Sequence, residues 1–235
     1  MLSIIIPTLN EEKYLPIFLG QVKKQSFKDY EVIVADFNSI DKTVEIAKNF
    51  GCVIAKGGNP SRGRNEGAKI ARGDILLFTD ADNLCLPDGF LNDLILEFKK
   101  RNLGVASFPI FPKGNVFDKI VFTVYHFWVW LTQRFLPHSS NSILVKKEVH
   151  ERIGGFDETI TIAEDHYYGR QASKVAKFGF IKTKPVLTSV RRFERDGRIR
   201  THFKYLVAGV YMLFFGPIRS NLFKYKFDYS KKEVL

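Results

Sequence analysis

The first 110 residues alternate short apolar runs with amphipathic stretches, and this alternation limits the possible folds more than any other feature of the chain. Candidate strands occupy residues 3–8, 31–36, 53–55, 74–79 and 105–109, and candidate helices occupy residues 11–25, 41–49, 61–71 and 88–100. Strands that are separated by helices usually pair in parallel, because each helix carries the chain back across one face of the sheet. We therefore predict an α/β fold with a mainly parallel central sheet.

Acidic side chains follow three of the candidate strands at the point where each strand ends. Glu11 follows the first strand, Asp36 closes the second, and Asp80 and Asp82 follow the fourth. In parallel sheets, ligands bind beyond the carboxyl ends of the strands, where the loops converge. Carboxylates that gather there repel one another unless a cation lies between them. The pattern predicts a cation site at this edge of the sheet.

The segment Asp80-Ala81-Asp82 is the candidate metal site. Residues i and i+2 of an extended chain point to the same face, so both carboxylates can reach one ion. Carboxylate oxygens suit Mg²⁺ and Mn²⁺, which keep several waters and accept phosphate oxygens as their other ligands. We predict Mn²⁺ or Mg²⁺ as the cofactor, held by Asp80 and Asp82.

Two uncharged apolar runs lie in the second half of the chain, within residues 116–136 and 205–218. Each run is about 14 residues long, which is short of the ~20 residues that a membrane-spanning helix needs. Lysine and arginine flank both runs, and the tryptophan and tyrosine within them suit the headgroup region of a bilayer. We predict two amphipathic helices that are interfacial or re-entrant in a membrane and do not span it. The alternative is that both are buried core helices.

The chain carries 36 Lys and Arg against 25 Asp and Glu, a net charge of +11 that favours an acidic partner. Nucleic acid, anionic lipid and phosphorylated substrates all meet that description. Much of the excess lies from Arg191 onward, so we predict that residues 201–235 form an apolar helix with a basic tail. Two cysteines and an N-terminus without signal-peptide features favour a reducing compartment. We expect the protein at the cytoplasmic face of the cell membrane.

Six short segments with recognisable motifs follow one another along most of the chain. They are Ile4-Ile5-Ile6-Pro7-Thr8-Leu9-Asn10-Glu11; Val32-Ile33-Val34-Ala35-Asp36 with Ser39, Asp41 and Thr43; Arg64-Asn65-Glu66-Gly67; Ala71-Arg72-Gly73-Asp74 leading into Asp80-Ala81-Asp82; Gly154-Gly155-Phe156-Asp157-Glu158; and Glu164-Asp165 with Arg170. Their order resembles that of family 2 glycosyltransferases with the GT-A fold, from residue 2 to about residue 193. The resemblance implies a Rossmann-like GT-A domain over residues 1–200, with a membrane-associated helix insertion at about residues 116–136.

The resemblance also implies an enzyme that transfers a hexose from a nucleoside-diphosphate sugar, with inversion and with the help of a divalent metal. The residues implied to bind the nucleotide sugar are Pro7, Thr8, Asn10, Glu11, Asp36, Arg64, Asp80, Ala81, Arg191 and Arg192. A carboxylate at Asp36 can accept the ring N–H of uracil or guanine, and a guanidinium at Arg64 can pair with a diphosphate. The alternative for Asp36 is that it caps the helix that follows it.

Asp165 matches the position of the family's catalytic base. Inverting transfer needs a carboxylate that takes the proton of the acceptor hydroxyl as the anomeric carbon is attacked. Its neighbour Glu164 diverges from it by ~100° on a helix, so only one of the two can face the site squarely. We assign Glu164 and His138 to the acceptor side. The alternative for the acidic pair is that it stabilises the N-terminus of a helix.

The compact size and paired apolar helices are similar to those of small archaeal-type membrane mannosyltransferases, which have a cellulose-synthase-like layout. This likeness favours GDP-mannose over UDP-glucose as the donor, and a lipid-linked acceptor of the polyprenyl or dolichyl type at a membrane surface. Ser189 lies where processive relatives carry a glutamine, which argues against a processive synthase. The alternatives are a soluble family 2 glycosyltransferase that uses UDP-glucose and a basic nucleic-acid-binding protein. We expect no nucleic-acid partner, because the acidic loops would repel its phosphates.

Overall fold

The computed structural model describes residues 1–220, which contain a seven-stranded sheet and a three-stranded sheet. The strands are β1 (Leu2–Thr8), β2 (Tyr30–Asp36), β3 (Val53–Lys56), β4 (Ile75–Phe78), β5 (Asn83–Cys85), β6 (Val105–Ser107), β7 (Ile110–Pro112), β8 (Ile143–Lys146), β9 (Phe178–Phe180) and β10 (Val186–Thr188). The helices are α1 (Leu15–Lys24), α2 (Thr43–Asn49), α3 (Pro60–Ile70), α4 (Phe90–Lys100), α5 (Val116–Thr132), α6 (Lys147–Arg152), α7 (Glu164–Val175), α8 (Arg191–Asp196) and α9 (Arg198–Phe215).

The larger sheet has the strand order β3-β2-β1-β4-β8-β6-β9, and the smaller sheet has the order β5-β10-β7. In the larger sheet, β1 pairs in parallel with β2 and β4, β2 with β3, and β6 with β9. Only β8 is antiparallel to its two neighbours, β4 and β6. The prediction of an α/β fold with a mainly parallel central sheet is confirmed, and the strands and helices predicted in the first 110 residues are found close to their predicted positions.

Both faces of β1 are buried, because helices cover the sheet on both sides. Ile4 and Ile6 belong to one apolar core together with Phe18 of α1. Ile5, which lies between them and points the opposite way, belongs to a second core together with Ala68 of α3. The sheet is therefore held from both sides, and the loops that follow its parallel strands meet at one edge.

A glycine brings α3 close to the sheet. A Cβ on Gly67 would lie 2.4 Å from Cγ2 of Ile5, so a larger residue there would push the helix away from β1. The helix begins with Pro60, and the side chain of Asn59 caps it by accepting the backbone N–H of Arg62 at 2.8 Å. Arg64 lies one turn before Gly67, so this close packing carries the Arg64 side chain to the loops at the carboxyl edge.

The two apolar runs form α5 and α9, and much of their apolar surface is exposed. Phe127 and Leu131 of α5 are 59% and 61% exposed, and Leu206 and Phe214 of α9 are 65% and 77% exposed. Three of the 17 residues of α5 and three of the 18 residues of α9 are buried. The alternative that both are buried core helices is therefore wrong.

The predicted location at the cytoplasmic face of the cell membrane is also wrong. In the described part of the chain, no helix combines the length and the apolar character needed to cross a bilayer. α5 has 17 residues, and α9 begins with a turn that carries Arg198 and Arg200. Part of the predicted basic tail, residues 221–235, lies outside the described residues.

α5 connects the smaller sheet, through β7, to the larger sheet, through β8. The helix begins with a capping box in which Asn115 and Asp118 each accept a hydrogen bond from the other's backbone. Asp118 is fully buried, and one of its carboxylate oxygens lies 3.1 Å from Nη1 of Arg198 in α9. This ion pair joins the first turns of α5 and α9.

Candidate active site

Side chains that were predicted to meet the nucleoside join the loops after β1 and β2. The Thr8 hydroxyl donates a hydrogen bond to Asp36 Oδ1 at 3.0 Å, and the Ser39 hydroxyl donates to the same oxygen. Asn10, at a left-handed φ of 55°, accepts the backbone N–H of Ile40 at 2.9 Å. The hydrogen bonds of Asp36 tie these loops together and do not cap α2. Its contact with a nucleobase stays a prediction.

Pro7 and Ala81 both pack against other parts of the fold. Pro7 of β1 packs against Gly63 of α3, where an added Cβ would lie 3.0 Å from the Pro7 Cβ. Ala81 is 2% exposed and belongs to the core that contains Ile4. Their contacts with a nucleotide sugar stay predictions.

The first carboxylate of the Asp80-Ala81-Asp82 turn is held from two sides. Nη2 of Arg64 lies 3.1 Å from Asp80 Oδ1, and the Asn141 side chain donates to Asp80 Oδ2 at 2.9 Å. Nη1 of Arg64 donates to Glu164 Oε1 at 2.7 Å. Burial lowers the pKa of Arg64, but the carboxylates of Asp80 and Glu164 outweigh it and hold that pKa above its ordinary value. Arg64 thus joins the predicted donor site to the predicted acceptor side.

Replacing Arg64 by methionine is expected to destabilise the fold by on the order of 3 kcal/mol, because Glu164 and Asp80 lose a cation that is itself buried. Urea denaturation followed by circular dichroism measures the change. Lys69→Met is the matched control, because Lys69 is on the same helix but is 66% exposed and, within residues 1–220, forms an ion pair with Glu66 alone. The control should change stability by less than ~0.5 kcal/mol. Equal stabilities of the two variants would contradict the structural role of Arg64.

The second carboxylate of the turn faces Arg191 of α8. Nε of Arg191 lies 3.2 Å from Asp82 Oδ2, and its two Nη atoms donate to the two oxygens of Glu11 at 2.9 and 2.6 Å. Burial raises the pKa of Asp82, and Arg191 opposes that shift. Burial also raises the pKa of Glu11, to about 7, although Arg191 again acts in the opposite direction. One guanidinium therefore pairs with two carboxylates that lie on different loops.

Asp165 is the second residue of α7, which begins directly after Ala163 at a left-handed φ of 58°. Its Oδ1 accepts the backbone N–H of His166 at 2.9 Å. Burial raises the pKa of Asp165 to about 6, although Arg64 lowers it. Glu164 is bound to Arg64, whereas Asp165 forms no ion pair with any residue in 1–220. Of the two carboxylates, Asp165 is the one left available to take a proton, and the position of both also suits the helix dipole.

His138 packs against α5, and Arg192 contacts α9. His138 is 4% exposed, and its ring centroid is 4.7 Å from that of Trp128 in α5. Burial lowers the pKa of His138 to about 3, so the ring is neutral. Nη1 of Arg192 donates to the Tyr205 hydroxyl of α9 at 2.8 Å. The acceptor contact of His138 and the diphosphate contact of Arg192 stay predictions.

Three side chains at the site were not predicted from the sequence. Asn141 contacts Asp80, and the Thr188 hydroxyl lies 3.3 Å from Asp82 Oδ1. Burial raises the pKa of Tyr125 in α5, and the nearby Asp165 carboxylate raises it further. The three residues come from the second half of the chain and belong to no motif, so no local pattern marks them.

The two carboxylates of the turn fit a divalent metal that is shared with a substrate. Within residues 1–220, no group of three or more His, Cys, Asp or Glu side chains could hold a metal ion. Mg²⁺ commonly needs only one or two protein carboxylates, because substrate phosphates complete its coordination. Asp80 and Asp82 each face a guanidinium, which demonstrates that each can pair with a cation.

The chain is similar in sequence to known glycosyltransferases. A family model described as "Glycosyl transferase family 2" matches residues 3–156, which include β1, the Asp80-Ala81-Asp82 turn and β8. The poly(ribitol-phosphate) beta-N-acetylglucosaminyltransferase TarS of Staphylococcus aureus is 34% identical over 91 residues, which are 34% of this chain and 16% of TarS. An uncharacterised glycosyltransferase of Haemophilus influenzae is 26% identical over 184 residues, 71% of this chain and 60% of that protein.

A third relative is GalNAc(5)-diNAcBac-PP-undecaprenol beta-1,3-glucosyltransferase of Campylobacter jejuni. It is 34% identical over 115 residues, which are 45% of this chain and 36% of that protein. The chain thus spans less than two thirds of the length of each of these relatives.

Solved structures have the same fold. A crystal structure of S. aureus TarS has a TM-score of 0.64 at 20% identity, over 90% of this chain and 65% of that one, and TarS was also solved with UDP. Mannosyltransferase PcManGT from Pyrobaculum calidifontis, in complex with GDP-Man and Mn²⁺, has a TM-score of 0.67 at 21% identity, over 88% of this chain and 64% of that one. At these identities the likeness concerns the fold alone. Because the family model matches more than half of the chain, the protein belongs to glycosyl transferase family 2.

Proposed function

We propose that this chain transfers a hexose from a nucleoside-diphosphate sugar to an acceptor hydroxyl, with inversion and with a divalent metal. The placement of Asp165 carries the proposal. This carboxylate has a pKa raised to about 6, and its neighbour Glu164 is linked through Arg64 to Asp80. A base beside the carboxylates that would hold a metal suits a displacement in which a diphosphate leaves as a hydroxyl attacks.

Each charged group has a part in the proposed reaction. Asp80 and Asp82 would hold the metal, which when bound stabilises the charge on the departing diphosphate. Arg64 fixes Asp80 and orients Glu164, because it pairs with both. Asp165 takes the proton of the attacking hydroxyl, and its raised pKa suits a base that works near neutral pH.

We propose GDP-mannose as the donor. Its support is the similar fold of the P. calidifontis mannosyltransferase, which was solved with GDP-Man and Mn²⁺. UDP-sugars are the alternative, because TarS was solved with UDP. The Asp36 carboxylate can accept a ring N–H from either base, so the experiment below compares the two nucleotides directly.

We propose a lipid-linked glycan as the acceptor. Its support is the C. jejuni relative, whose name gives a substrate carried on diphospho-undecaprenol. A poly(ribitol-phosphate) chain, which the name of TarS gives as its substrate, is the alternative. In both cases the acceptor would offer a hydroxyl to Asp165 beside Tyr125 of α5.

Thermal unfolding with a panel of nucleotide sugars tests the proposal. With Mn²⁺ present, GDP-mannose at about 100 times its Kd should stabilise the fold by ~2.7 kcal/mol. In a chain of this size, that raises Tm by about 5–10 °C. The shift should disappear with EDTA, and GMP, which lacks the second phosphate, should give a smaller one.

Two outcomes would change the assignment. A larger shift with UDP-glucose than with GDP-mannose would make UDP-glucose the donor. No shift with any nucleotide sugar, in the presence of either Mn²⁺ or Mg²⁺, would overturn the proposed function.

A further inference from the structure

The guanidinium of Arg191 and a bound metal ion would compete for the same carboxylate, that of Asp82. Its guanidinium is bound to both oxygens of Glu11, and its Nε is 3.2 Å from Asp82 Oδ2. Its Cζ lies 4.8 Å from the ring centroid of Tyr14. A paired contact with a carboxylate and a cation–π contact both restrict the guanidinium, so the positive charge beside Asp82 has a fixed place.

A metal ion bound to Asp82 would need the position that the Arg191 guanidinium now occupies beside this carboxylate. A Mg²⁺ or Mn²⁺ ion held by Asp82 would use the carboxylate that Arg191 faces. Arg191 approaches that carboxylate with its side chain 18% exposed, so little solvent separates and screens the two positive charges. Arg191 must therefore leave Asp82 before a metal can bind there with its full affinity.

The backbone around Arg191 is anchored, and its side chain alone would have to move. The Ser189 N–H donates to the Asp82 carbonyl oxygen at 2.9 Å. On the other side of Arg191, the side chain of Arg192 is bound to Tyr205 of α9. The chain is thus held on both sides of Arg191, at Ser189 and at Arg192. A rotation of the Arg191 side chain could carry its guanidinium from Glu11 and Asp82 to a diphosphate at the same turn.

We propose that Arg191 is an exchangeable counter-ion: Glu11 and Asp82 hold it in the donor-free chain, and it moves to the diphosphate when donor and metal bind together. This inference rests on the proposed function. Glu11 is then a positioning residue, which stores Arg191 beside the turn. A diphosphate offers the guanidinium a paired acceptor that is at least as good as a carboxylate, so the exchange replaces one ion pair by another.

The exchange makes metal and nucleotide depend on each other. Without a diphosphate, Arg191 stays on Glu11 and weakens the binding of a cation at Asp82. With a diphosphate, the guanidinium has a new partner and Asp82 is free for the metal. By linkage, a nucleotide that strengthens metal binding is itself bound more strongly when metal is present.

Titration of Mn²⁺, with free ion counted by electron paramagnetic resonance, tests this inference in the unsubstituted protein and in Arg191→Gln. In the unsubstituted protein, GDP or UDP should raise the affinity for Mn²⁺ by about tenfold or more. In Arg191→Gln, Mn²⁺ alone should bind several-fold more tightly than in the unsubstituted protein. The further gain from the nucleotide should shrink by a similar factor.

Two further variants separate exchange from a general effect of charge. Arg195→Gln removes the same charge from the same helix, but Arg195 pairs with Asp196, so both affinities should stay unchanged. Arg191→Lys keeps the charge but lacks the two-pronged geometry of a guanidinium. We expect it to bind Mn²⁺ alone as weakly as the unsubstituted protein does, with a smaller gain from the nucleotide.

The outcomes distinguish this inference from the proposed function. If Arg191→Gln folds, as judged by its circular dichroism, and binds Mn²⁺ alone no more tightly than the unsubstituted protein, the exchange is overturned while the proposed function stands. If Arg191→Gln does not fold, Arg191→Lys decides the question through the gain from the nucleotide, and an undiminished gain overturns the exchange. If the unsubstituted protein binds no nucleoside diphosphate with Mn²⁺ or Mg²⁺, the proposed function fails and the exchange fails with it.

Discussion

Asp165→Asn should slow sugar transfer by about 10²–10⁴-fold while the affinity for the donor stays close to that of the unsubstituted protein. Asparagine keeps the shape of the side chain but cannot take a proton from the acceptor hydroxyl. The predicted donor contacts at Asp80 and Asp82 lie on a different loop, so they remain in place. A coupled assay for the released nucleoside diphosphate measures turnover, and calorimetry measures donor affinity.

Asp157→Asn is the matched control for this substitution. The Asp157 carboxylate lies 2.8 Å from Arg219 and accepts hydrogen bonds from Thr159, and the chemical change is the same. This variant should keep the turnover of the unsubstituted protein. Near-normal turnover in Asp165→Asn would mean that a different group is the base, and Glu164 would be the first to examine.

The same carboxylate predicts how the rate depends on pH. Burial raises the pKa of Asp165 to about 6, and only the deprotonated carboxylate can act as a base. We therefore expect kcat/KM to be full above this pKa and to fall as the pH drops through it, because this constant reports ionisation in the free enzyme. A value of kcat/KM that is constant between about pH 5 and pH 8 would contradict the assignment.

Asp82→Ala should weaken metal-dependent donor binding by at least about 100-fold, since a bound metal contributes several kcal/mol to holding and stabilising the diphosphate charge. The substitution leaves Asp80 as the single carboxylate of the turn, and Asp80 is already shared with Arg64 and Asn141. Calorimetric titration with GDP-mannose, with Mn²⁺ and then with EDTA, measures the loss.

Asp88→Ala provides the comparison, because Asp88 is an exposed residue of the turn before α4 and comes from the same segment of the chain. Its donor affinity with Mn²⁺ should equal that of the unsubstituted protein. The metal assignment would be wrong if the unsubstituted protein bound the donor equally well with Mn²⁺ and with EDTA.

The order of strands and helices in the first half of the chain could be predicted because hydrophobic periodicity is a local property. β1, for example, is an apolar run that is buried on both faces, and its composition alone indicates this. The place of β8 could not be predicted in this way. Its residues indicate a strand, but its antiparallel position between β4 and β6 depends on how the chain returns after α5.

The same distinction between local and long-range features applies to the candidate site. The place of Asp80 and Asp82 directly after a strand could be predicted, because the strand and both carboxylates belong to one short segment. The pairing of Glu11 with Arg191 joins residues that are 180 positions apart, and neither segment indicates its partner. The contact between Arg64 and Glu164 joins residues 100 positions apart and was missed for the same reason.

The prediction of a membrane location was wrong for a different physical reason. The composition of α5 and α9 indicates that their side chains are hydrophobic. It does not indicate which surface packs against those side chains. The exposed apolar faces of both helices were therefore consistent with several surroundings. The buried-helix alternative shared this weakness, since it also assumed a covering that the composition does not specify.

The position of α5 between the two sheets has a consequence for divergence among related chains. The helix leaves the smaller sheet at β7 and enters the larger sheet at β8, so its outer face can change while β1 and β4 keep their register. The strands that present Glu11, Asp80 and Asp82 are not interrupted by such a change. In chains with this layout, the α5 segment near Asp165 can change under separate selection from the part of the fold that carries the proposed nucleotide site.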